Sequence, residues 1–457
     1  MPGLNRRAAC AELASACCTR RGLLQLGAAG GLSLAHLLRC RAQAEPARPS
    51  RHGASAIILW MRGGPSHIDM WDPKPEAPIE YRGDFGCMAS SVPGIHLSDM
   101  LPRSAAIMHK WSILRSLFHA DAGHSGADQI CFTGYPAGPN PDENVMPSCG
   151  SIVSEQLGGL RPDLPSYVMI PRQVPGTGPA YLGVANQPFE TGADPAAAGP
   201  FRLPHFDPAA GLSLKRLDDR KTLLDGFDRM RRAADASGQM QAMDTFQQQA
   251  WNMVTSPAAR QAFDLDAEPA DLRQRYGFMP AFDPKASNRC GAPAWSQRIL
   301  LARRLVEAGV PLVTVDLRWW DTHVQGFDSL RRGFLPRFDQ AYSALIDDLD
   351  QRGLLASTFV IAWGEFGRTP RVNADAGRDH YPNVFSAAVA GGPVQPGRVV
   401  GQSDARGAFP KERPTTPQDV LATLYHHLGI DTEKQYLDRA GRPISILPSG
   451  SLIDELL

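Results

Sequence analysis

The chain has 457 residues, 43% hydrophobic, 21% charged and 8% aromatic, which fits a folded globular protein and excludes a disordered, collagenous or coiled-coil one. Lys+Arg and Asp+Glu each total 47, so the basic surplus that nucleic-acid binding relies on is missing and no nucleic-acid partner is expected. At about 100–200 residues per domain, the length allows one large α/β domain with a sub-domain, or two to three small domains.

The charge is unevenly placed. Arg6, Arg7, Arg20, Arg21, Arg39 and Arg41 face only Glu12 within residues 1–44, whereas residues 45–457 hold 41 basic and 46 acidic side chains, net −5. The arginines flank an apolar run from Leu23 to Leu38, too short for a bilayer span, which needs roughly 20 residues. Thr19-Arg20-Arg21-Gly22-Leu23-Leu24 carries the paired arginines of a twin-arginine (Tat) signal, and Ala42-Gln43-Ala44 places small residues where a signal peptidase reads them. Residues 1–44 are therefore expected to be a removed export signal read by the Tat translocase. The mature chain is then periplasmic or secreted, with no stable membrane anchor. Cys87, Cys131, Cys149 and Cys290 remain after cleavage, without the C-x-x-C spacing of a zinc ribbon or thioredoxin-type site, and their pairing cannot be assigned.

Residues 45–54 read as a Pro, Arg, Ser and Gly-rich linker before the main domain, 55–457. Ala56 to Met61 is a continuous apolar run of strand length, stopped by Arg62-Gly63-Gly64-Pro65. Met100 onward has helical spacing, then Trp111 to Leu117 reads as a strand, and residues 171–208 are dense in Pro and Gly. Residues 213–275 are polar and helix-forming, and a helical insertion over about 213–290 is expected rather than core. Beyond Trp295 helices (Gln297 to Ala308, Phe338 to Arg352, Thr416 to Leu428) alternate with strands (Val310 to Leu317, Thr358 to Trp363, Val384 to Ala390). Such alternation implies an α/β fold, a mostly parallel sheet sandwiched between helices, with ligands at the carboxyl ends of the strands.

Those ends carry carboxylates and imidazoles: Ser66, His67, Asp69 and Asp72 after the first strand; His119, Asp121, His124 and Ser125 after the second; Asp321 and His323 after the third; Glu365 and Arg368 after the fourth, followed by Arg378, Asp379 and His380. Asp321 and His323 are two apart, so in an extended segment both point the same way, and a carboxylate with an imidazole suits a divalent transition metal. Two readings stay open for Glu365: a ligand, or a carboxylate locked to Arg368 or Arg378. Arg62, Arg368 and Arg378 would suit an oxyanion or balance the carboxylates. His426 and His427 read as ordinary helix residues.

Several ordered motifs resemble the DUF1501 family, exported proteins abundant in planctomycetes and related bacteria. They are Arg62-Gly63-Gly64-Pro65-Ser66-His67-Ile68-Asp69-Met70-Trp71-Asp72-Pro73-Lys74-Pro75, His124-Ser125-Gly126-Ala127, Trp320-Asp321-Thr322-His323, Gly364-Glu365-Phe366-Gly367-Arg368-Thr369-Pro370 and Gly377-Arg378-Asp379-His380. That family resembles the alkaline phosphatase and sulfatase superfamily, whose members hydrolyse phosphate or sulfate esters with metal ions at strand ends. The resemblance implies an alkaline-phosphatase-like fold and a divalent metal ion (zinc, calcium or magnesium) held by Asp69, Asp321, His323, Glu365 and His380. It also implies a phosphorylated or sulfated small molecule or glycan as substrate. Thr133-Gly134-Tyr135-Pro136 looks like the Thr-Gly-x-x-Pro that follows the sulfatase nucleophile, and counting back lands on His124, next to Ser125. Ser125 is then the candidate nucleophile, Arg368 or Arg378 the oxyanion partner, and His124 or His119 the acid or base if no covalent step occurs. The chain departs from the superfamily in three places. Arg62 and glycines stand where an Asp usually ends the first strand, Phe366 replaces a histidine, and no Cys-x-Pro-x-Arg is present. The alternative expectation is a non-catalytic anion- or glycan-binding protein that kept the fold.

Overall fold

The computed structural model describes residues 53–204, 251–253 and 255–457. The expected export signal, all but the end of the linker, and residues 213–250 of the expected insertion lie outside the described residues. Eight strands form one sheet: β1 (Ser55–Trp60), β2 (Trp111–Leu117), β3 (Tyr167–Ile170), β4 (Phe189–Glu190), β5 (Leu312–Asp316), β6 (Thr358–Trp363), β7 (Phe385–Ala390) and β8 (Val399–Val400). Their order is β8-β2-β7-β6-β1-β5-β3-β4. β1 runs parallel to β5 and β6, with Trp60 level with Asp316 and Trp363, whereas β7 is antiparallel to both of its neighbours. The segment that leads into β7 therefore sits at the edge where β1, β2, β5 and β6 end.

Each face of the sheet is covered by helices. From β1, Ile57 and Leu59 point into one core, with Ile299 and Leu300 of α5 (Ser296–Glu307) and Phe338 and Leu345 of α6 (Leu335–Gln351). Ala56, Ile58 and Trp60 point into the other, with Phe132 of α1 (His124–Thr133), Ile152 of α2 (Cys149–Leu157) and Leu424 of α7 (Pro417–Leu428). This period-two division of a wholly apolar run is what a parallel strand buried on both faces requires. α7 starts with a Thr416–Asp419 capping box and Pro417, and stops at Gly429 in the left-handed region, φ 67°.

Two features differ from the sequence reading. His119, Asp121, His124 and Ser125 were expected together in the loop after the second strand, but His124 onward is helical. Gly126 is small there because a Cβ would collide with the Asp121 carboxylate. The described end of the expected insertion also enters the core: α3 (Pro257–Phe263) and α4 (Ala270–Tyr276) bury Ala259, Phe263, Leu272 and Tyr276. Glu268, between the two helices, and Tyr276 join a buried ion cluster. Arg303 on α5 lies 2.8 Å from both Glu268 and Asp348, and Asp348 also accepts from the Tyr276 hydroxyl at 2.9 Å and Arg352 at 2.7 Å. The four described cysteines are free thiols, and no helix among the described residues is long and apolar enough to cross a membrane.

Removing Asp348 leaves Arg303 and Tyr276 buried without that acceptor. Asp348→Ala is expected to cost about 3 kcal/mol, by analogy with broken buried pairs, read as a lower denaturation midpoint; an unchanged midpoint would show that the cluster is dispensable.

Candidate metal centre

The site is assembled from the ends of four strands. After β1 the chain turns at Gly63 (φ +111°) and Gly64 (φ +81°). A Cβ at Gly63 would lie 2.6 Å from the Asp321 nitrogen, and one at Gly64 2.5 Å from the Phe366 ring, so only bare backbone lets the loops after β5 and β6 close over this turn. The Trp320 N–H donates to Arg62 O at 2.8 Å, and the Gly63 N–H donates to Glu365 Oε1 at 2.7 Å. Two short strands, Gly367–Arg368 and His380–Tyr381, pair antiparallel and bring His380 back beside them.

The Asp321 carboxylate is the centre. Its Oδ1 lies 3.0 Å from His323 Nε2 and 3.0 Å from His380 Nε2, and its Oδ2 lies 3.6 Å from His124 Nε2. Each imidazole is held from behind through Nδ1: His124 by Glu365 Oε1 at 2.6 Å, His323 by Asp379 Oδ1 at 2.7 Å, and His380 by the Ala122 carbonyl at 2.8 Å. These three partners are acceptors, so a neutral ring keeps its proton on Nδ1 and turns the Nε2 lone pair inward, the arrangement that outer carboxylates impose on metal-binding histidines. The ring of Phe366 backs the cluster, 4.5 Å from His380 and 5.2 Å from His124.

This geometry fits a cation. One ligand atom from each of His124, Asp321 and His380 lies within 4.8 Å of the others, and bonds of about 2 Å to a common ion require only small side-chain movements. His323 Nε2, 3.1 Å from His380 Nε2, is at hand as a further donor. Imidazole nitrogens with one carboxylate suit zinc and its transition-metal neighbours, whereas calcium and magnesium take oxygen ligands. Burial opposes charge on His124, but its bonds to Asp321 and Glu365 prevail and raise it to about 9. Burial likewise opposes charge on Asp321, yet His124, His380 and Arg368 hold it well below the usual carboxylate range.

The remaining sequence candidates are placed as follows. Glu365 stands behind His124, with Oε1 shared between Gly63 and His124 and Oε2 buried without a hydrogen-bond partner among the described residues. Asp69 is outside the cluster, in a two-toothed pair with Arg378 at 2.8 and 3.2 Å. Arg378 also donates to the carbonyls of Tyr81, Thr369 and Pro370, and is buried. Arg368 donates to the carbonyls of Gly63, Gly64 and Arg378 and to Asp321 at 2.5 Å, so it braces the turn and the centre. His119 accepts the Asp121 N–H at Nδ1 and meets Glu365 O through Nε2 at 2.5 Å, and burial lowers its pKa. Ser125 Oγ donates to Asp142 Oδ1 at 2.6 Å and accepts from Arg62 at 3.4 Å. Arg62 is itself held by Asp128 at 2.7 Å and lies over the Trp319 ring, 4.3 Å from its centroid. Burial and the Glu365 charge raise the Asp128 pKa against the pull of Arg62.

Sequence reasoning did not place His124 among the ligands or single out Asp128 and Asp142. Asp128 had one visible signal, an acid four residues after His124 and so on the same helical face; Asp142 had none.

Asp69→Ala is expected to leave Arg378 buried without its counter-charge and cost about 3 kcal/mol while zinc uptake stays at the wild-type stoichiometry; Asp321→Ala should abolish uptake. Titration of zinc into both variants checks this, and loss of uptake in the Asp69 variant would return Asp69 to the ligand set.

Residues 54–457 match the model of the family DUF1501, described as a protein of unknown function. No curated protein matches the chain in sequence. Solved structures similar to it include a lipoteichoic acid synthase from Listeria monocytogenes, 9% identical over 85% of this chain and 76% of that one, TM-score 0.36. A 2-O GAG sulfatase is 10% identical over 88% and 74%, TM-score 0.37. A phosphonate monoester hydrolase from Silicibacter pomeroyi is 13% identical over 83% and 74%, TM-score 0.34.

Proposed function

We propose that this chain, which belongs to the DUF1501 family, is a metal-dependent hydrolase of phosphate or sulfate esters. One observation carries the reading: three histidines, each fixed through Nδ1, turn Nε2 toward a single carboxylate at the ends of parallel strands. A divalent cation held by His124, Asp321 and His380, with His323 beside them, would supply a Lewis acid for a phosphoryl or sulfuryl oxygen.

The chain's own groups divide the remaining tasks. Glu365 and Asp379 orient imidazoles, and Arg368 fixes Asp321 against the Gly63–Gly64 turn. Ser125 adjoins His124 at the start of α1 and offers a hydroxyl nucleophile. Both Arg368 and Arg378 have their donors engaged by the protein, so Arg62, which touches Ser125, is the cation best placed to meet an oxyanion. The nitrogens of His119 are likewise engaged, and it acts as a positioning group on the Glu365 backbone.

Purified protein loaded with zinc is expected to hold about one ion per chain and to hydrolyse p-nitrophenyl phosphate or sulfate. Asp321→Ala should lower turnover at least ~100-fold. A zinc-loaded chain that turns over neither ester, yet binds sulfated glycan equally well with chelator present, would make this a binding protein instead.

We further propose that the chain is exported in folded form, on the strength of Arg20-Arg21 and the short apolar run Leu23 to Leu38. Replacing both arginines, Arg20→Lys with Arg21→Lys, is expected to leave the unprocessed chain in the cytoplasm on cell fractionation. Unaltered export of the double variant would exclude the Tat route.

A further inference from the structure

The Ser125 hydroxyl is held between an acid and a base. Its Oγ donates to Asp142 Oδ1 at 2.6 Å, while the Arg62 guanidinium donates to the same oxygen at 3.4 Å. Both partners stand on anchored segments. Arg62 is clamped by Asp128, a buried carboxylate one turn further along α1, and by the face of Trp319. Asp142 belongs to the loop after α1, and that loop is tied down by Gln129, whose amide donates to the Pro141 carbonyl at 3.1 Å. Gln129 is four residues after Ser125, so it lies on the same face of α1 and sets the carboxylate over the hydroxyl. Asn140 completes the loop by accepting the Asp142 N–H at 3.2 Å. Ser125 is the second residue of a ten-residue helix, where the backbone dipole adds partial positive charge beside its oxygen.

We propose that Asp142 is the catalytic base of Ser125 and that Arg62 is the positioning group that stabilises the developing alkoxide. This rests on the hydrolase reading and adds to it a proton path that does not pass through the metal ligands. In the first step a bond forms between Ser125 Oγ and the phosphorus or sulfur as the bond to the leaving oxygen breaks. The hydroxyl proton passes to the Asp142 carboxylate. The leaving alkoxide takes a proton from water, and the hydroxide so formed displaces Ser125 Oγ, to which Asp142 returns its proton. The sum is one ester and one water converted to one alcohol and one acid anion.

The probe is diisopropyl fluorophosphate, which needs an activated hydroxyl but no ester turnover: an Oγ–P bond forms, fluoride leaves and the proton goes to the base. The full exported chain is expected to gain one label, on Ser125 by peptide mass mapping, and Ser125→Ala none. Asp142→Asn keeps the shape of the loop and changes an exposed side chain, so its circular dichroism and zinc content should match the wild type while labelling slows about 100-fold, the lower range for loss of a general base. Equal labelling rates in wild type and Asp142→Asn, a label on another residue, or no label at all would overturn the assignment. Ester turnover without labelling would sink the base and leave the hydrolase standing; labelling without turnover of any phosphate or sulfate ester would do the reverse.

Discussion

The turn at Gly63 and Gly64 has to present bare backbone on three sides at once, and the site depends on that. Its amide holds Glu365, its carbonyls hold Arg368, and the adjoining Arg62 carbonyl accepts from the Trp320 amide that leads to Asp321. A side chain at either glycine would push the β5 loop or Phe366 away, and the two segments that carry Asp321 and Glu365 would separate from β1. The positive φ of both residues is the local expression of the same demand. Thus a short stretch without functional side chains sets the distance between the groups that have them.

Around this turn the charges are arranged in nested pairs. Asp321 takes Arg368 and the imidazoles, Asp128 takes Arg62, and Asp69 takes Arg378, each with at least one partner well buried. Ionised groups so poor in water contact are tolerable only when paired and hydrogen-bonded, which is why the arginines here also reach several carbonyls. The consequence is selective. Pairs that are closed on themselves, such as Asp69 with Arg378, stiffen the walls. The pair left open to other chemistry is the Asp321 centre, where the lone pairs of the imidazoles and the carboxylate converge.

Much of the framework was legible along the chain because strands buried on both faces must be apolar at every position. β6 matches its expected limits, β1 is displaced by one residue at both ends, β7 starts one residue later, and α7 begins and ends at the capping residues the sequence displays. The reading failed where a local rule was overridden from a distance. His124 and Ser125 read as loop because they follow a strand end, yet they open α1, where Gly126 leaves room for the Asp121 carboxylate packed against it. α3 and α4 read as a polar insertion because their Arg, Gln and Asp side chains do face outward or lie half-buried, whereas the apolar residues between them, Phe263, Leu272 and Tyr276, reach the core only in the folded chain.

At the site, sequence alone determined that carboxylates and imidazoles end several strands, and that Asp321 and His323, two apart, share a side. It also carried the family motifs and the paired arginines Arg20 and Arg21. Only the folded chain decided which of these groups meet. Asp69 and Arg378 are separated by 309 residues, and His124 and Glu365 by 241, so no spacing rule links them. Partner choice between charges depends on distance and on exclusion of water, and both are properties of the closed strand edge rather than of any segment that builds it.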